Sequence, residues 1–451
     1  MSNDIKIKKG LDINLVGEAE KKTENAILSN YYSIKPEDFH GVTPKLILKE
    51  QANVKAGEPV FYNKNLEQVK FVSPVSGTIL EIKRGAKRKI LSVKIQADKE
   101  QVFVDHGKVD LKSASADSIR ELLLKSGCWP FIKQRPYDVI AKPDSEPKAI
   151  FISSYATAPL AADYDYVLKG KEAELQAAVL GLSKLTSGKV HVGMGEKSTS
   201  PFNSIEGIIK HKVSGPHPAG NVGVLINKIN PVNKGEVVWT ITPQDLVIIG
   251  ELFLTGKFNA ERIVALVGSS VKKPRYFRTR IGSEIATMVY DNGVDKDGND
   301  RIISGNVLSG KQIEPDGYLD FYSNTVTVIP EGDDYELFGW SKPVFDKISV
   351  TRALTFSWLF PKKKYDLNTN TNGEHRAFVV TGTYEDVFPM DIYPLQILKA
   401  CKYQDLDEME ALGMYEVAPE DFAVTEFICV SKQPHQKIIR DGLDLMIKEI
   451  G

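Results

Sequence analysis

The chain has 451 residues and carries 58 Lys and Arg against 59 Asp and Glu, a formal net charge of −1. That balance leaves no basic excess for a nucleic-acid footprint. The length exceeds one ordinary core and implies roughly three or four domains, and an apolar fraction of 42% excludes global disorder.

The N-terminus alternates apolar and charged residues through Ile5 and Ile7 to Lys9, so it reads as a strand and not as a signal peptide. Short apolar segments then recur to about residue 103, punctuated by Gly57, Pro59, Pro74, Gly77 and Gly85. That spacing predicts a small β-sandwich or barrel. From Ser113 to Lys125 the period becomes helical, with Asp117 as the expected cap and Ile119, Leu122 and Leu123 on one face. Prolines break the chain from Pro130 to Pro147. Lys148 to Ser153 reads as a strand, Lys171 to Leu185 as a helix and Lys189 to Val192 as a strand, which together make a βαβ unit on a parallel sheet. Arg262 to Val267, Arg275 to Arg280, Tyr318 to Phe321 and Val326 to Ile329 are expected strands, with a short helix from Ser283 to Tyr290. An Asn/Thr-rich loop follows at Asn368 to Gly373, and the last segments, such as Leu395 to Cys401 and Ile438 to Ile450, read as helices. No run of about 18 apolar residues occurs, so a membrane role is expected to come through partners.

Several chemical motifs fail on their own terms. Gly193 and Gly195 follow a strand, but Ser198 stands where a dinucleotide fingerprint needs its third glycine, so an ordinary strand-to-helix turn is expected. Asp291 to Asp300 lacks the terminal carboxylates of a calcium loop and reads as an Asp-Gly turn. Cys128, Cys401 and Cys429 form no close pair, and the nearest histidines, His211 and His217, lie in a Gly/Pro-rich stretch with no metal spacing. The densest basic cluster is Lys83, Arg84, Lys87, Arg88 and Lys89. It is either a solvated hairpin turn or a docking patch for an acidic partner or anionic surface.

Val54-Lys-Ala-Gly57-Glu-Pro-Val60 and Phe71-Val-Ser-Pro74-Val-Ser-Gly77 resemble the hairpin halves of a biotinyl/lipoyl barrel-sandwich. Asn63-Lys64-Asn65 matches neither carrier motif, so Lys64 is expected to remain unmodified. More specifically, Ile7-Lys-Lys9-Gly10-Leu11-Asp12, Gly77 to Arg88, Ser214-Gly-Pro216-His217-Pro-Ala-Gly220 and Gly382-Thr-Tyr384 through Pro394 resemble, in order, the A-subunit family of the Na+-translocating NADH:quinone oxidoreductases.

The resemblance implies a multidomain α/β fold. Its expected parts are a barrel-sandwich over 1–103, a helical and Pro-rich connector over 104–147, a Rossmann-like domain over 148–258, a β-grasp (SLBB-like) domain over 259–335 and a helical C-terminal domain over 336–451. It also implies a peripheral subunit on the cytoplasmic side of the bacterial inner membrane, held by subunits B to F through their integral members. Its ligand would be a quinone, ubiquinone or menaquinone. No flavin, iron–sulfur cluster or metal is expected here, since the flavin loop and cysteine clusters of wider relatives are missing and a cluster needs four thiolates. The alternatives are a purely structural scaffold, or a flavin- or iron–sulfur-bearing NADH dehydrogenase subunit related to complex I. A quinone ring needs a flat apolar slot and a donor. Trp129 and Phe131 are nominated to flank it, Arg135 to donate to a carbonyl, and His217 as a second donor.

Overall fold

The computed structural model describes residues 4–26, 29–333, 336–339, 342, 344–345, 347–353 and 357–451. A seven-stranded sheet runs in the order Asp4–Lys6, Ile208–Ser214, Val190–Gly195, Ile150–Ser153, Val238–Thr240, Lys133–Arg135, Val139–Ile140. The first five strands are parallel, Lys133–Arg135 runs antiparallel to them, and Val139–Ile140 pairs antiparallel with Lys133–Arg135. Alternate residues of a strand point to opposite faces. Ile150 and Ile152 therefore enter one core and Phe151 another, which explains the unbroken apolar run.

On the first face the helices Glu172–Leu182 and Pro243–Thr255 pack together so tightly that a Cβ on Gly250 would stand 1.8 Å from the Glu174 carbonyl oxygen. The helix Val222–Ile229 covers the other face and joins the core of the C-terminal helices. The expected strand, helix, strand unit is present, with Ile150–Ser153 and Val190–Gly195 in parallel register.

Two further sheets form the barrel-sandwich. One has four strands, Tyr31–Ile34, Ile90–Ala97, Gly77–Arg84 and Asn53–Val54, and the other three, Pro44–Leu46, Pro59–Asn63 and Leu66–Val72. Lys64 and Asn65 make the exposed turn between the last two strands. A six-stranded sheet holds Lys311–Gln312, Asp300–Ser304, Thr325–Pro330, Glu261–Val267, Arg275–Arg280 and Glu20–Asn25.

The structure departs from the local reading at several points. The N-terminal strand lies in the α/β sheet and Glu20–Asn25 in the six-stranded sheet, so residues before Tyr31 sit outside the two barrel-sandwich sheets. Alternation identifies a strand but not its partner. Ser115, not Asp117, caps the helix Ala116–Ser126, because its hydroxyl accepts from the Ser118 amide. Tyr318 to Phe321 forms a turn with one isolated bridge, Glu284 to Tyr318, instead of a strand. The turn after Gly195 leads through the 3-10 turn Pro201–Asn203 to the next strand, not to an α-helix. Among the described residues the α-helices of the C-terminal region begin at Thr383.

Buried ion pairs bolt these parts together. Arg262 of the six-stranded sheet pairs with Asp245 of the helix Pro243–Thr255, each 1% exposed. Arg135 of the seven-stranded sheet pairs at 2.7 Å with Asp421 of the C-terminal region, again 1% exposed on both sides. Arg135 also donates to the Glu416 carbonyl at 2.7 Å and reaches Glu420 at 3.3 Å. Burial opposes its charge, and Asp421 and Glu420 outweigh that, raising its pKa. Removing one partner strands the other charge in the interior. Arg135→Gln is expected to lower stability by ~3–5 kcal/mol, read as a lower urea midpoint, and Arg135→Met with Asp421→Leu to recover most of the loss. Equal midpoints for the parent and Arg135→Gln would refute the bolt.

Candidate functional site

The nominated residues lie where the domains meet, and packing determines what each can do. The 3-10 turn Trp129–Phe131 is opened by Pro130 and wholly buried. Trp129 meets Trp239 edge to face with centroids 5.5 Å apart, and its indole donates to the Ala141 carbonyl at 2.8 Å. Phe131 is stacked with Phe258 at 6.2 Å and Phe321 at 4.8 Å. Phe321 meets Phe39 at 4.7 Å, and Phe39 meets Phe71 at 4.3 Å. These rings form a continuous aromatic seam from the barrel-sandwich through the connector to the six-stranded sheet.

The cavity beside the seam measures about 10 Å³ and is lined by Ser33, Ile34, Asp38, Val72, Pro74, Phe258, Ile281 and Phe321. That is room for about one water, against several hundred Å³ for a small-molecule pocket. Arg135 has no free fork to offer, because three acceptors on the C-terminal region occupy it. His217 stands apart, in the loop that follows the strand Ile208–Ser214. Its backbone N–H donates to Asp12 at 3.0 Å, its carbonyl accepts from Leu11 at 2.7 Å and its Nδ1 shares a 3.0 Å bond with Thr157. Gly10 fits beside that carbonyl only because it lacks a Cβ, which would come within 2.4 Å. Burial lowers the His217 pKa to about 4, so the ring is neutral near pH 7. The four nominated residues thus serve packing, pairing and loop closure, and their donors and faces are largely consumed.

His211 and His217 do not associate. His211 instead lies 3.0 Å from His191 on the neighbouring strand. Among the described residues no group of three or more His, Cys, Asp or Glu is arranged to hold a metal. The thiols are buried and dispersed: Cys401 faces Met414, and Cys429 bonds to Tyr384. The basic cluster forms an exposed hairpin tip, the strand Gly77–Arg84 leading into the 3-10 turn Ala86–Arg88.

A polar group that no local motif signalled sits beside the seam. Lys35 pairs with Asp320 and donates to the Tyr318 carbonyl at 3.2 Å. Asp38 accepts from the Phe321 amide at 3.0 Å and lies 3.9 Å from Lys311. Its other oxygen and the Ser33 hydroxyl have no hydrogen-bond partner among the described residues. The Asp38 side chain is 4% exposed. Desolvation and the nearby Asp320 charge raise its pKa to about 7, against the pull of Lys35. Residues 38 and 320 are too far apart in sequence for spacing to connect them.

The class is therefore a multidomain α/β protein in which a barrel-sandwich, a parallel α/β sheet, a six-stranded sheet and a helical C-terminus share buried junctions. Three family models match in order: the NqrA N-terminal barrel-sandwich hybrid domain over 5–98, the NqrA second alpha/beta domain over 114–258 and the NQRA C-terminal domain over 263–314. The chain is 38% identical over 448 residues to the A subunit of the Na(+)-translocating NADH-quinone reductase of Neisseria meningitidis serogroup B, covering 99% of this chain and 100% of that one. The corresponding protein of Rhodopirellula baltica is 35% identical, with 98% of each chain covered. An NAD+-reducing NiFe hydrogenase structure matches 51% of this chain and 52% of its own at 12% identity and a TM-score of 0.35. The chain belongs to the NqrA family, the A subunits of Na+-translocating NADH-quinone reductases.

Asp38 makes the junction pH-dependent. Its folded-state pKa is raised, so the folded form holds the proton more tightly than the unfolded chain does. The stability this contributes is complete below the unfolded value of about 4 and is lost as pH rises through about 7. Asp38→Asn is expected to gain on the parent by on the order of 2 kcal/mol between pH 5 and pH 8. Parallel melting curves for the two proteins across that range would contradict it.

Proposed function

We propose that this chain is the peripheral quinone-binding subunit of a Na+-translocating NADH:quinone oxidoreductase, seated on the cytoplasmic side of the bacterial inner membrane. It serves there as one part of an enzyme complex with subunits B to F. Electrons from NADH pass through flavin and iron–sulfur centres on the other subunits, and this chain holds no flavin, iron–sulfur cluster or metal. The observation that carries the reading is 38% identity over 99% of the chain to an A subunit of that enzyme. Two features support it. Among the described residues no helix is long and apolar enough to cross a membrane. The three thiols are also one short of the four thiolates a cluster needs.

One observation favours a second reading, a scaffold that shapes the complex without touching quinone. The faces and donors of Trp129, Phe131 and Arg135 are already engaged by neighbouring residues. A photoreactive quinone separates the two readings. Labelling of this chain within the assembled complex, prevented by excess unlabelled quinone, is the expected result, and labelling confined to the other subunits would favour the scaffold. The purified chain is expected to show no visible absorbance, whereas a stoichiometric flavin or iron–sulfur spectrum would restore the dehydrogenase alternative.

The hairpin tip from Lys83 to Lys89 offers five cations within seven residues, a field screened beyond about 10 Å in ordinary salt. Lys87→Glu with Arg88→Glu is expected to weaken co-purification with the partner subunits several-fold while leaving the melting temperature unchanged. Undiminished co-purification at physiological salt would remove the patch from the interface.

A further inference from the structure

The chain contains two Asn-Gly pairs, Asn292-Gly293 and Asn372-Gly373. Such a pair can react with itself, because glycine has no side chain to keep its backbone nitrogen away from the asparagine amide. The reaction needs a free backbone N–H and room for the nitrogen to reach the side chain. The fold treats the two pairs in opposite ways.

Asn292 is buried, 7% exposed, and locked in place. Its side-chain amide donates to the Met288 carbonyl at 2.8 Å, and its own carbonyl accepts from the Lys273 amide at 3.2 Å. The Gly293 amide donates to the Tyr290 carbonyl at 3.1 Å, so the attacking nitrogen is already engaged. The Lys272 side chain fills the space over Gly293, 2.8 Å from where a Cβ would stand. Asn372 and Gly373 are both exposed. The Asn370 side chain accepts from the Asn372 amide at 2.8 Å, and Asn372 Nδ2 donates back to the Asn370 carbonyl at 3.1 Å. Asn372 stands at a φ of 48°, in the left-handed region that asparagine tolerates. The Gly373 carbonyl accepts from Thr371 at 3.0 Å, but the Gly373 N–H has no acceptor among the described residues.

The loop that carries this pair is fastened on both sides. Arg301 grips Glu331 with two bonds of 2.7 and 2.8 Å, and Thr369 donates to the same carboxylate at 2.6 Å. Thr369 also accepts from the Gly332 amide at 2.9 Å. Beyond the pair, the Arg376 amide donates to the Ser431 carbonyl at 2.9 Å, and the Gln433 side chain donates to the Arg376 carbonyl. Residues 370–375 therefore bridge the end of the six-stranded sheet and the C-terminal helices. The Lys432 side chain lies across Gly373, its Cε 3.1 Å from where a Cβ would stand. Lys432 is half-buried and has no ion-pair partner among the described residues.

We propose that Asn372 is a site of spontaneous covalent modification, at which the backbone nitrogen of Gly373 attacks the Asn372 side chain and converts its amide into a carboxylate. A bond forms between the Gly373 nitrogen and Asn372 Cγ, closing a cyclic imide. The Cγ–Nδ2 bond breaks, and Nδ2 leaves as ammonia with the proton from the Gly373 nitrogen. Solvent water, the co-reactant, then adds to one of the two imide carbonyls. Opening at Cγ leaves an ordinary aspartate. Opening at the backbone carbonyl leaves an isoaspartate, whose main chain runs through Cγ and is one carbon longer. Either product sets a new negative charge beside Lys432. The isoaspartate also lengthens a bridge whose two ends are fixed, so the change is felt where the six-stranded sheet meets the C-terminal helices. This inference goes beyond quinone binding and assembly and stands or falls without them.

The test incubates the full-length purified chain for days in warm, mildly alkaline buffer made with heavy-oxygen water, and follows its proteolytic peptides by mass spectrometry. The peptide carrying Asn372 is expected to split into aspartate and isoaspartate forms, each with one heavy oxygen. The peptide carrying Asn292 is expected to convert at least about tenfold more slowly, because its site opens only when the local structure does. In guanidinium, where the fold no longer separates them, the two sites are expected to convert at similar rates. Gly373→Ala should slow conversion at Asn372 by at least about fivefold, since a Cβ hinders the approach of the nitrogen. An unchanged Asn372 in the folded chain overturns the proposal, as does equal conversion of Asn292 and Asn372 before unfolding. Conversion without isoaspartate, undiminished in Gly373→Ala, also overturns it, because that result means direct hydrolysis of the amide. If the variant misfolds, the two sites of the parent, folded and unfolded, still decide the matter.

Discussion

The guanidinium of Arg135 is buried with almost no exposure, and a charge in that position must be met or the fold does not hold. It is met by Asp421, Glu420 and the Glu416 carbonyl, all in the C-terminal region, while Arg135 itself sits on a strand of the central sheet. The sheet edge and the C-terminal region are therefore conditions of each other. Gly223 belongs to the same constraint, since a Cβ there would come within 2.5 Å of the guanidinium and within 2.4 Å of the Asp421 carboxylate. Arg262 and Asp245 repeat the device on the six-stranded sheet. Two buried charges, each with its counter-ion on another part of the chain, tie the α/β sheet to the six-stranded sheet and to the C-terminal region.

The aromatic seam works by the same logic without charge. Phe71, Phe39, Phe321 and Phe131 come from three units, and each ring closes a face that another would leave open. A seam so filled leaves a water-sized cavity and a half-satisfied carboxyl, Asp38, where a looser junction would leave a pocket. Separating the junction would expose aromatic surface and unpair Arg262 from Asp245, so a quinone that reached these rings would need them opened at considerable cost. Outside these junctions the chain presents its surface.

That surface has two distinct characters. The hairpin tip from Lys83 to Lys89 is cationic and exposed, whereas the clamped excursion after Glu331 is apolar, aromatic and cationic together. The clamps matter physically. Arg301 holds Glu331 at its start, Thr369 near its end bonds to the same carboxylate, and Tyr365 pairs with Asn14 and Val16, while Phe345, Trp358 and Phe360 are exposed. Exposed apolar groups on a fixed base lose less entropy on binding than the same groups on an untethered tail.

Much of this protein could be read locally. The alternation of Ile5 and Ile7, the helical spacing of Leu175, Val179 and Leu182, and the short strands punctuated by Gly57, Gly77 and Gly85 each report a pattern that the backbone imposes on neighbouring residues. The family was legible too, in ordered segments from Ile7 to Pro394. What the sequence could not decide was which distant residues meet. The strand at Asp4–Lys6 pairs with Ile208–Ser214 and not with its neighbours in the chain. Asp38 gains its raised pKa from burial and from Asp320, and Arg135 spends its donors on Asp421. Trp129, Phe131 and Arg135 carry the composition of a ligand site, and only the fold shows that they pack or pair with Trp239, Phe258, Phe321 and Asp421. Periodicity is a property of adjacent residues and is written in the chain. Pairing, burial and the environment of a charge depend on residues hundreds of positions away, and only the folded arrangement brings those together.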